Sequence, residues 1–357
     1  PSGSDATFVS PAELLDRLAR VRVEMARLAE SATDADRQEK ARVVQALLEK
    51  RSQPGWDALP EVQTALGDTW RELMEFERAR EAYAKAVGAD DEHGQVPVRA
   101  IERLANIEAR LGERTDHAGM VAGSIVRLEA LVESTQPTPR RPSNHEAAPT
   151  NRERHSLQGS AHKRLAGMQA AALLSGKLSD EERRRTGVDL RESLRQSAAH
   201  YRAATQGLDD DPYPVLNHLA LEAVVAATAP AADPSGAIAQ ARRCAVQARS
   251  RYQAGRGFWN AVMQADARLV EQLLSDQLGR DGGTGDPSLS TLADAYTEQF
   301  RRVVATPPQI DSVVAQMELL GRFYDALSLT AEPNRTTALR RTAGRLRALV
   351  AQIAPGR

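Results

Sequence analysis

The stretch from residue 63 to residue 86 reads Gln63-x-x-Leu66-Gly67-x-x-Trp70 and then Ala79-x-x-x-Tyr83-x-x-Ala86. In both halves the apolar and small residues recur three and four positions apart, which places them on one face of a helix. Gly67 and Ala79 are small enough to let two helix backbones approach closely, and the larger side chains, with Phe76, fill the space around that contact. Such a helix pair cannot bury its apolar face alone, so the pattern predicts stacking on further pairs.

These positions, within residues 60–93, resemble the tetratricopeptide repeat (TPR) family, with its leucine-glycine pair, first aromatic residue, inter-helix alanine, second aromatic residue and following alanine. The stretch departs from the family at Gln63, where the family prefers Trp, and at Asp90-Asp91, where it prefers a closing proline. The resemblance implies an all-α, right-handed helical solenoid. It also implies a surface that binds a protein or peptide ligand and a chain that is not an enzyme.

Helical periodicity and capping residues continue along the whole chain, and no run of alternating strand residues interrupts them. The pattern predicts about 14 helices, or seven hairpins. Ser10-Pro11-x-Glu13 and Ser179-x-x-Glu182 are typical helix starts. The second-helix pattern recurs as Ser197-x-x-x-Tyr201-x-x-Ala204 and, without its aromatic residue, as Ala241-x-x-x-Ala245-x-x-Ala248. Their offset of 44 residues, against roughly 34 in the standard unit, predicts an irregular repeat length.

Composition divides the chain into three parts. Residues 134–151 contain four prolines and almost no large apolar side chains, so burial cannot offset the entropy of ordering them. We expect a flexible loop or linker there, between an N-terminal array (1–133) and a divergent C-terminal array with a capping helix (152–357). A long loop between two stacked pairs would have the same composition, so the sequence leaves open whether the segment separates two domains.

A second resemblance covers residues 150–330. The phrases that carry it are His155-Ser156-Leu157-Gln158-Gly159-Ser160-Ala161-His162-Lys163-Arg164-Leu165-Ala166, Asp211-Pro212-Tyr213-Pro214-Val215-Leu216-Asn217 and Phe258-Trp259-Asn260-Ala261-Val262. They are similar to the divergent helical regions of bacterial conflict and signalling proteins, which are tethered to an effector such as a caspase-like CHAT protease domain. No protease dyad is visible in this sequence, so we expect any effector to lie outside it. The start, Pro1-Ser2-Gly3-Ser4, lacks an initiator methionine, and we expect the chain to be a fragment.

Charge and cysteine usage narrow the function classes. The formal net charge of −1 lacks the basic excess of nucleic-acid-binding proteins. Residues 1–133 nevertheless carry a net charge of −7 and residues 301–357 a net charge of +5, which suits either solvated helix faces or a contact between opposite ends. The single Cys244 fits a reducing cytoplasm, and no segment has the length of apolar sequence that a membrane helix needs. We therefore expect neither nucleic acid nor a membrane as a partner.

Five features of the sequence have part of the pattern of a chemical site, and each has a structural explanation. His155 and His162 are seven residues apart and lack a third metal ligand; Asp209-Asp210-Asp211 lacks the last aspartate of a magnesium motif, and Pro212 interrupts its helix. The glycine-rich run 279–286 lacks the Gly-Lys-Ser/Thr that holds nucleotide phosphates. Arg183-Arg184-Arg185 follows three acids that can pair with it, and the arginines of the last helix suit a cap. The sequence predicts no catalytic residue, no cofactor and no metal.

Candidate binding residues follow from the family resemblance, in which first helices line the ligand-binding surface. In the clear repeat these are Glu61, Thr64, Asp68, Arg71 and Glu72, and further along they are Asn217, His218, Trp259 and Asn260. Thr64 and Asp68 replace the Lys and Asn of chaperone-tail-binding repeats. Asp68 would repel a peptide carboxylate, so we do not expect ligands of that class.

Two functions remain. The first is a non-enzymatic sensor or docking region of a larger cytoplasmic bacterial protein, which binds a protein or peptide and relays that state to an attached effector. The alternative is a self-association scaffold, in which the acidic start of one chain meets the basic end of another.

Overall fold

The computed structural model describes residues 10–28, 32–49, 59–88, 98–134, 147–205, 211–228, 233–255, 257–280 and 287–355. Over these residues the chain forms fourteen helices and no strand, which confirms the all-α prediction. Several sequence features lie wholly or partly outside the described residues: Pro1–Ser4, Asp90-Asp91, Asp209-Asp210, most of the proline-rich segment, and 281–286 of the glycine-rich run.

The chain divides into two compact units, with the boundary between Leu131 and Val132 in the last turn of a helix. The helices that begin in the first unit are α1 (Pro11–Leu28), α2 (Asp34–Glu49), α3 (Pro60–Glu72), α4 (Phe76–Gly88), α5 (Val98–Arg114) and α6 (Ala118–Ser134). Here α1 packs against α2 and α3, α3 against α4, and α4 against α5. Their core consists mainly of leucines and small residues, around Leu18, Val44, Leu66 and Tyr83.

The second unit contains α7 (Ala147–Leu174), α8 (Asp180–Ala204), α9 (Pro212–Ala226), α10 (Ser235–Gly255), α11 (Phe258–Leu274), α12 (Pro287–Val303), α13 (Pro307–Ser328) and α14 (Pro333–Ile353). Most helices pack against their neighbours in sequence, as helical repeats do. In addition, α13 packs against α7 and α9. The second unit is therefore more than a linear stack, because α13, near the end of the chain, packs against α7, the first helix of this unit.

Side chains cap the two helix starts that the sequence predicts from Ser-x-x-Glu patterns. At α8 the predicted capping box forms: the Glu182 amide donates to Ser179 Oγ (3.3 Å) and the Ser179 amide donates to Glu182 Oε2 (2.8 Å). At α1 the Glu13 amide donates to Ser10 Oγ (3.2 Å), while the Glu13 carboxylate pairs with Arg17 instead of closing a box.

Two helix ends differ from the positions that the sequence predicts. α7 begins at Ala147, inside the range 134–151 that was predicted as a linker. α11 ends at Leu274 and not near 279, because Asp276 adopts a left-handed φ of 54° that stops the helix. The carbonyl groups of the resulting turn point outward and become hydrogen-bond acceptors for α14.

Candidate functional site

The α3–α4 pair is built around the contact between Gly67 and the ring of Tyr83. A Cβ atom added at Gly67 would lie 2.5 Å from Cε1 of Tyr83, a separation that real side chains do not show. All six residues of the repeat pattern are buried: Leu66, Gly67, Trp70, Ala79, Tyr83 and Ala86. Only glycine permits this approach of the two helices, because any side chain at position 67 would displace the ring.

Asp68, the residue after Gly67, connects α3 to three other helices, α1, α4 and α5. Its side chain is only 5 % exposed. Tyr83 Oη donates a hydrogen bond to Asp68 Oδ1 (2.7 Å), Arg99 of α5 donates to Oδ2 (2.8 Å), and Arg22 of α1 lies 3.5 Å from Oδ2. Burial, followed by the Asp68 charge, raises the pKa of Tyr83 above its ordinary value, so the hydroxyl remains a donor at neutral pH.

The structure corrects the premise that Asp68 is exposed and repels peptide carboxylates. Its charge is compensated within the first unit, because Arg22 and Arg99 both pair with its carboxylate. A buried and paired Asp68 does not present a free negative charge to a ligand.

The other predicted residues of α3 lie near the helix surface. Glu61 and Glu72 are exposed. Thr64 Oγ1 donates to the Pro60 carbonyl (2.7 Å), one turn back in the same helix. Arg71 pairs with the adjacent Glu72 (2.5 Å). A ligand-binding role for these residues stays a prediction.

The second unit repeats the glycine–tyrosine contact in longer helices. A Cβ atom at Gly159 of α7 would lie 2.9 Å from Cδ2 of Tyr201 in α8. Ser197, at the place that Ala79 occupies in α4, donates from Oγ to the Gly159 carbonyl (2.6 Å). The α7–α8 pair is therefore a second tetratricopeptide-like unit, and its first helix is the one that begins at Ala147.

Two further features of the α3–α4 pair recur in the second unit and were not predicted from the sequence. Leu320-Gly321-x-x-Tyr324 in α13 has the spacing of Leu66-Gly67-x-x-Trp70, and all three of these α13 residues are buried. A search for a leucine-glycine pair followed by an aromatic residue would have found it. The bond from Tyr296 Oη to Asp266 Oδ1 (2.6 Å) repeats that of Tyr83 to Asp68, but no sequence spacing announces it.

Three histidines stack where α7 meets α8. The ring of His200 lies 5.8 Å from that of His155 and 5.3 Å from that of His162, centroid to centroid. Burial lowers the pKa of His155 and of His162; burial, and then the neighbouring imidazoles, lower that of His200 to about 4. The cluster is neutral at pH 7. The described residues contain no group of three or more His, Cys, Asp or Glu side chains able to hold a metal ion.

A groove of about 800 Å³ lies within the second unit. Its walls are mainly alanine and leucine side chains of α8, α9, α14 and the segment that follows α11. The charged and titratable side chains that line it are Arg195, Arg202, His218, Glu222, Asp233, Asp276, Tyr324 and Arg335. A concave, mostly apolar surface with a few polar groups is the usual form of a ligand site.

His218 is the predicted binding residue that lines this groove. Its Nδ1 lies 3.1 Å from the Ala198 carbonyl, and its Nε2 lies 3.4 Å from Glu222 Oε2. Burial lowers the pKa of His218, and the Glu222 carboxylate acts in the opposite direction. These two contacts hold the ring in one orientation between α8 and α9.

The remaining predicted residues do not line the groove. Asn217 Oδ1 accepts bonds from Lys163 Nζ of α7 (2.8 Å) and Gln316 Nε2 of α13 (3.3 Å). Helix α13 thus contacts α9 at Asn217, a residue to which the family resemblance assigned ligand binding. Trp259 is 50 % exposed and packs edge-on against Phe258, and Asn260 is half-buried.

Ion pairs account for two of the features that the sequence offered as possible sites of chemistry. Arg183 pairs with Asp180 (2.9 Å) and Arg184 with Glu181 (2.7 Å), as the spacing predicts. Asp211 precedes α9 and pairs with Arg251 (2.6 Å).

Residues 75–222, from the start of α4 to near the end of α9, match the family model described as Tetratricopeptide Repeats-Sensor (TPR-S). This region of the chain is of the tetratricopeptide type. Repeats of this type present extended binding surfaces and generally mediate protein interactions. The TPR-S region ends within the groove, whose residues from Arg195 to Glu222 belong to it. No curated protein matches the sequence.

None of the described helices combines the length and the apolar character needed to cross a bilayer.

Proposed function

We propose that this chain is a non-catalytic sensor of a bacterial conflict or signalling protein that binds a peptide segment of another protein in the groove of the second unit. The observation that carries the proposal is the groove itself, because it lies at the end of the TPR-S region and joins apolar walls to a few fixed polar groups. An attached effector domain, carried elsewhere on the same polypeptide, would respond to the bound state.

The groove suits a peptide with apolar side chains and at least one acidic residue. Ala198, Ala199 and Ala223 leave room for apolar side chains. Arg202 forms no side-chain hydrogen bond or ion pair with any described residue, so its guanidinium can bind a carboxylate in the fork geometry that arginine favours. The groove as a whole is not an anion site, because the acidic side chains of Glu222, Asp233 and Asp276 also line it and balance its arginines.

Relay to an effector follows from the position of the groove in the fold. One wall belongs to α8 and α9, and another belongs to the start of α14, more than a hundred residues later. A ligand that touches both walls would stabilise one arrangement of these helices over others, and a ligand shifts an equilibrium by its differential affinity for the two states.

Filling the groove tests the proposal. Ala199 is exposed, lies on α8 and lines the groove, so Ala199→Trp should block a peptide without disturbing the core. Val188, 57 % exposed on the same helix and outside the groove, provides the matched control Val188→Trp. We expect the wild-type chain and the control to retain the same host proteins in a quantitative affinity purification, and Ala199→Trp to lose them. Identical retention by all three, with unchanged thermal melting, would contradict the groove as the binding site.

Self-association through the acidic start and the basic end is the alternative proposal. It has less support, because the basic helix α14 is largely engaged within the second unit. Arg341 donates to the Gly279 carbonyl (2.7 Å) and Arg345 to the Gln277 carbonyl (2.8 Å), where α11 has ended.

A further inference from the structure

A second pocket, of about 280 Å³, lies among α10, α11 and α12 and shares no lining residue with the groove. Four arginines line it: Arg242 and Arg249 of α10, Arg268 of α11 and Arg302 of α12. Small side chains, Ala245, Ala265, Ala267 and Ala295, also line it. Three helices thus contribute arginines to the lining of one concave space.

The charge balance of this pocket is strongly positive. Glu271 is the one acidic side chain among its described lining residues, and Arg242 already pairs with it through both Nε (3.1 Å) and Nη2. Arg268 has no hydrogen bond or ion pair with any described residue. Three guanidinium charges, those of Arg249, Arg268 and Arg302, therefore line the pocket without a carboxylate partner among the described residues. Like charges that line one pocket repel one another, and a bound anion would relieve that repulsion.

Part of the cluster is held in place before any ligand arrives. The guanidinium of Arg302 lies over the ring of Tyr252, 4.6 Å from its centroid. Arg249 Nε lies 3.5 Å from Oε1 of the buried Gln264. Gln299 also lines the pocket, and its buried Oε1 has no hydrogen-bond partner among the described residues. Its amide can turn to offer NH₂ groups to an anion.

We propose that this pocket binds a small phosphate-bearing molecule. Arginine matches phosphate oxygens with paired N–H donors, and three unmatched guanidinium groups suit a group with two or more negative charges. The volume lies at the lower end of ligand pockets, which accommodates a phosphate group with a small attached moiety and not an extended chain. A sensor with this pocket would respond to a phosphorylated metabolite independently of its peptide groove.

Binding of inorganic pyrophosphate, measured by calorimetry at constant ionic strength, tests this site. Arg268→Gln removes an exposed, unpaired guanidinium, so the fold should not change. Arg301→Gln removes the same charge from an exposed position on α12 outside the pocket. We expect saturable binding to the wild-type chain and to Arg301→Gln, and an affinity at least about tenfold weaker for Arg268→Gln.

Three outcomes would overturn the assignment. The first is no saturable binding by the wild-type chain. The second is an equal loss in both variants, since it would show diffuse attraction and not a site. The third is capture of a phosphoserine peptide that pyrophosphate does not displace. Circular dichroism of each variant distinguishes these results from a failure to fold, and binding in the peptide groove is measured separately through Ala199→Trp.

Discussion

Tyr83 and Tyr201 occupy equivalent places in two helix pairs that differ greatly in length. Each ring packs directly on a glycine of the preceding helix, Gly67 or Gly159. At the scale of single residues, the feature that the two pairs share is therefore the packing of an aromatic ring directly against the backbone of a glycine. The surrounding helices are free to lengthen as long as that contact is kept.

Substitution of Gly67 tests this contact. In Gly67→Ala the new Cβ would lie 2.5 Å from the Tyr83 ring, so we expect the free energy of unfolding of the first unit to fall by about 1–3 kcal/mol. Gly123→Ala on α6 is the control, since nothing lies within 4 Å of its added Cβ. Helix propensity should make it neutral or stabilising by up to about 1 kcal/mol. Equal urea midpoints for the two variants would refute the close approach.

Substitution of Asp68 tests the contacts that its carboxylate makes with Arg22 of α1, Tyr83 of α4 and Arg99 of α5. Asp68→Ala leaves the buried Tyr83 hydroxyl without its acceptor, which costs about 1–3 kcal/mol. Glu72→Ala removes an exposed carboxylate that pairs with Arg71, and surface substitutions of this kind cost about 0.5 kcal/mol or less. Chemical denaturation of both variants measures the difference. If the free energy of unfolding fell as little in Asp68→Ala as in Glu72→Ala, the contacts of Asp68 would add no stability.

At the scale of elements, the junction of α7 and α8 combines the close packing of two long helices with a cluster of titratable side chains. The Gly159–Tyr201 contact brings these long helices together, and the same approach places His155, His162 and His200 in one stack. Gln158 bonds to His155, and Glu192 is the carboxylate that acts on His162.

This stack predicts a loss of stability in acid. The folded state lowers the pKa of all three imidazoles, whereas unfolded histidine titrates near about 6.5. The unfolded chain therefore binds more protons once the pH falls below about 6.5, and the stability present above that value is lost toward the folded pKa of about 4 for His200. The midpoint of urea unfolding should be lower at pH 5 than at pH 7.5.

His200→Gln separates this effect from the titration of carboxylates, because it removes the central ring and leaves the acids unchanged. The variant should lose less stability than the wild-type chain over the same pH interval. An identical pH dependence in both would show that the stack does not control the acid response.

At the scale of the whole molecule, the opposite charges of the two ends allow a test of self-association. A contact between exposed charges must weaken with salt, since the Debye length falls from about 10 Å at 0.1 M to about 3 Å at 1 M. If residues 1–133 of one chain meet residues 301–357 of another, oligomers at low salt should dissociate at high salt. Sedimentation over a range of protein concentrations measures this.

Arg340 is the residue to reverse in that test. It is exposed and has no partner among the described residues, whereas Arg341 and Arg345 are bound to the turn after α11. Arg340→Glu should weaken any such oligomer without loosening the second unit. A monomer at every salt and protein concentration would remove the scaffold proposal and leave the sensor proposal unchanged.

The sequence by itself determined the all-helical class, the helix count and the α3–α4 pair. These follow from spacings of three and four residues and from caps such as Ser179 with Glu182, which act within a few positions of the chain. Contacts of this kind join residues that are close in the chain, so the residue pattern alone predicts them.

Only the tertiary structure decided that Asp68 is buried, that α13 contacts Asn217, and that residues from Arg195 to Thr342 surround one groove. Each of these depends on contacts between residues far apart in the chain. Local periodicity reports which face of a helix is apolar, but not which other helix will cover its polar side chains. The arginines of α10, α11 and α12 were likewise ordinary surface charges in the sequence, and they became a pocket only when three helices packed together.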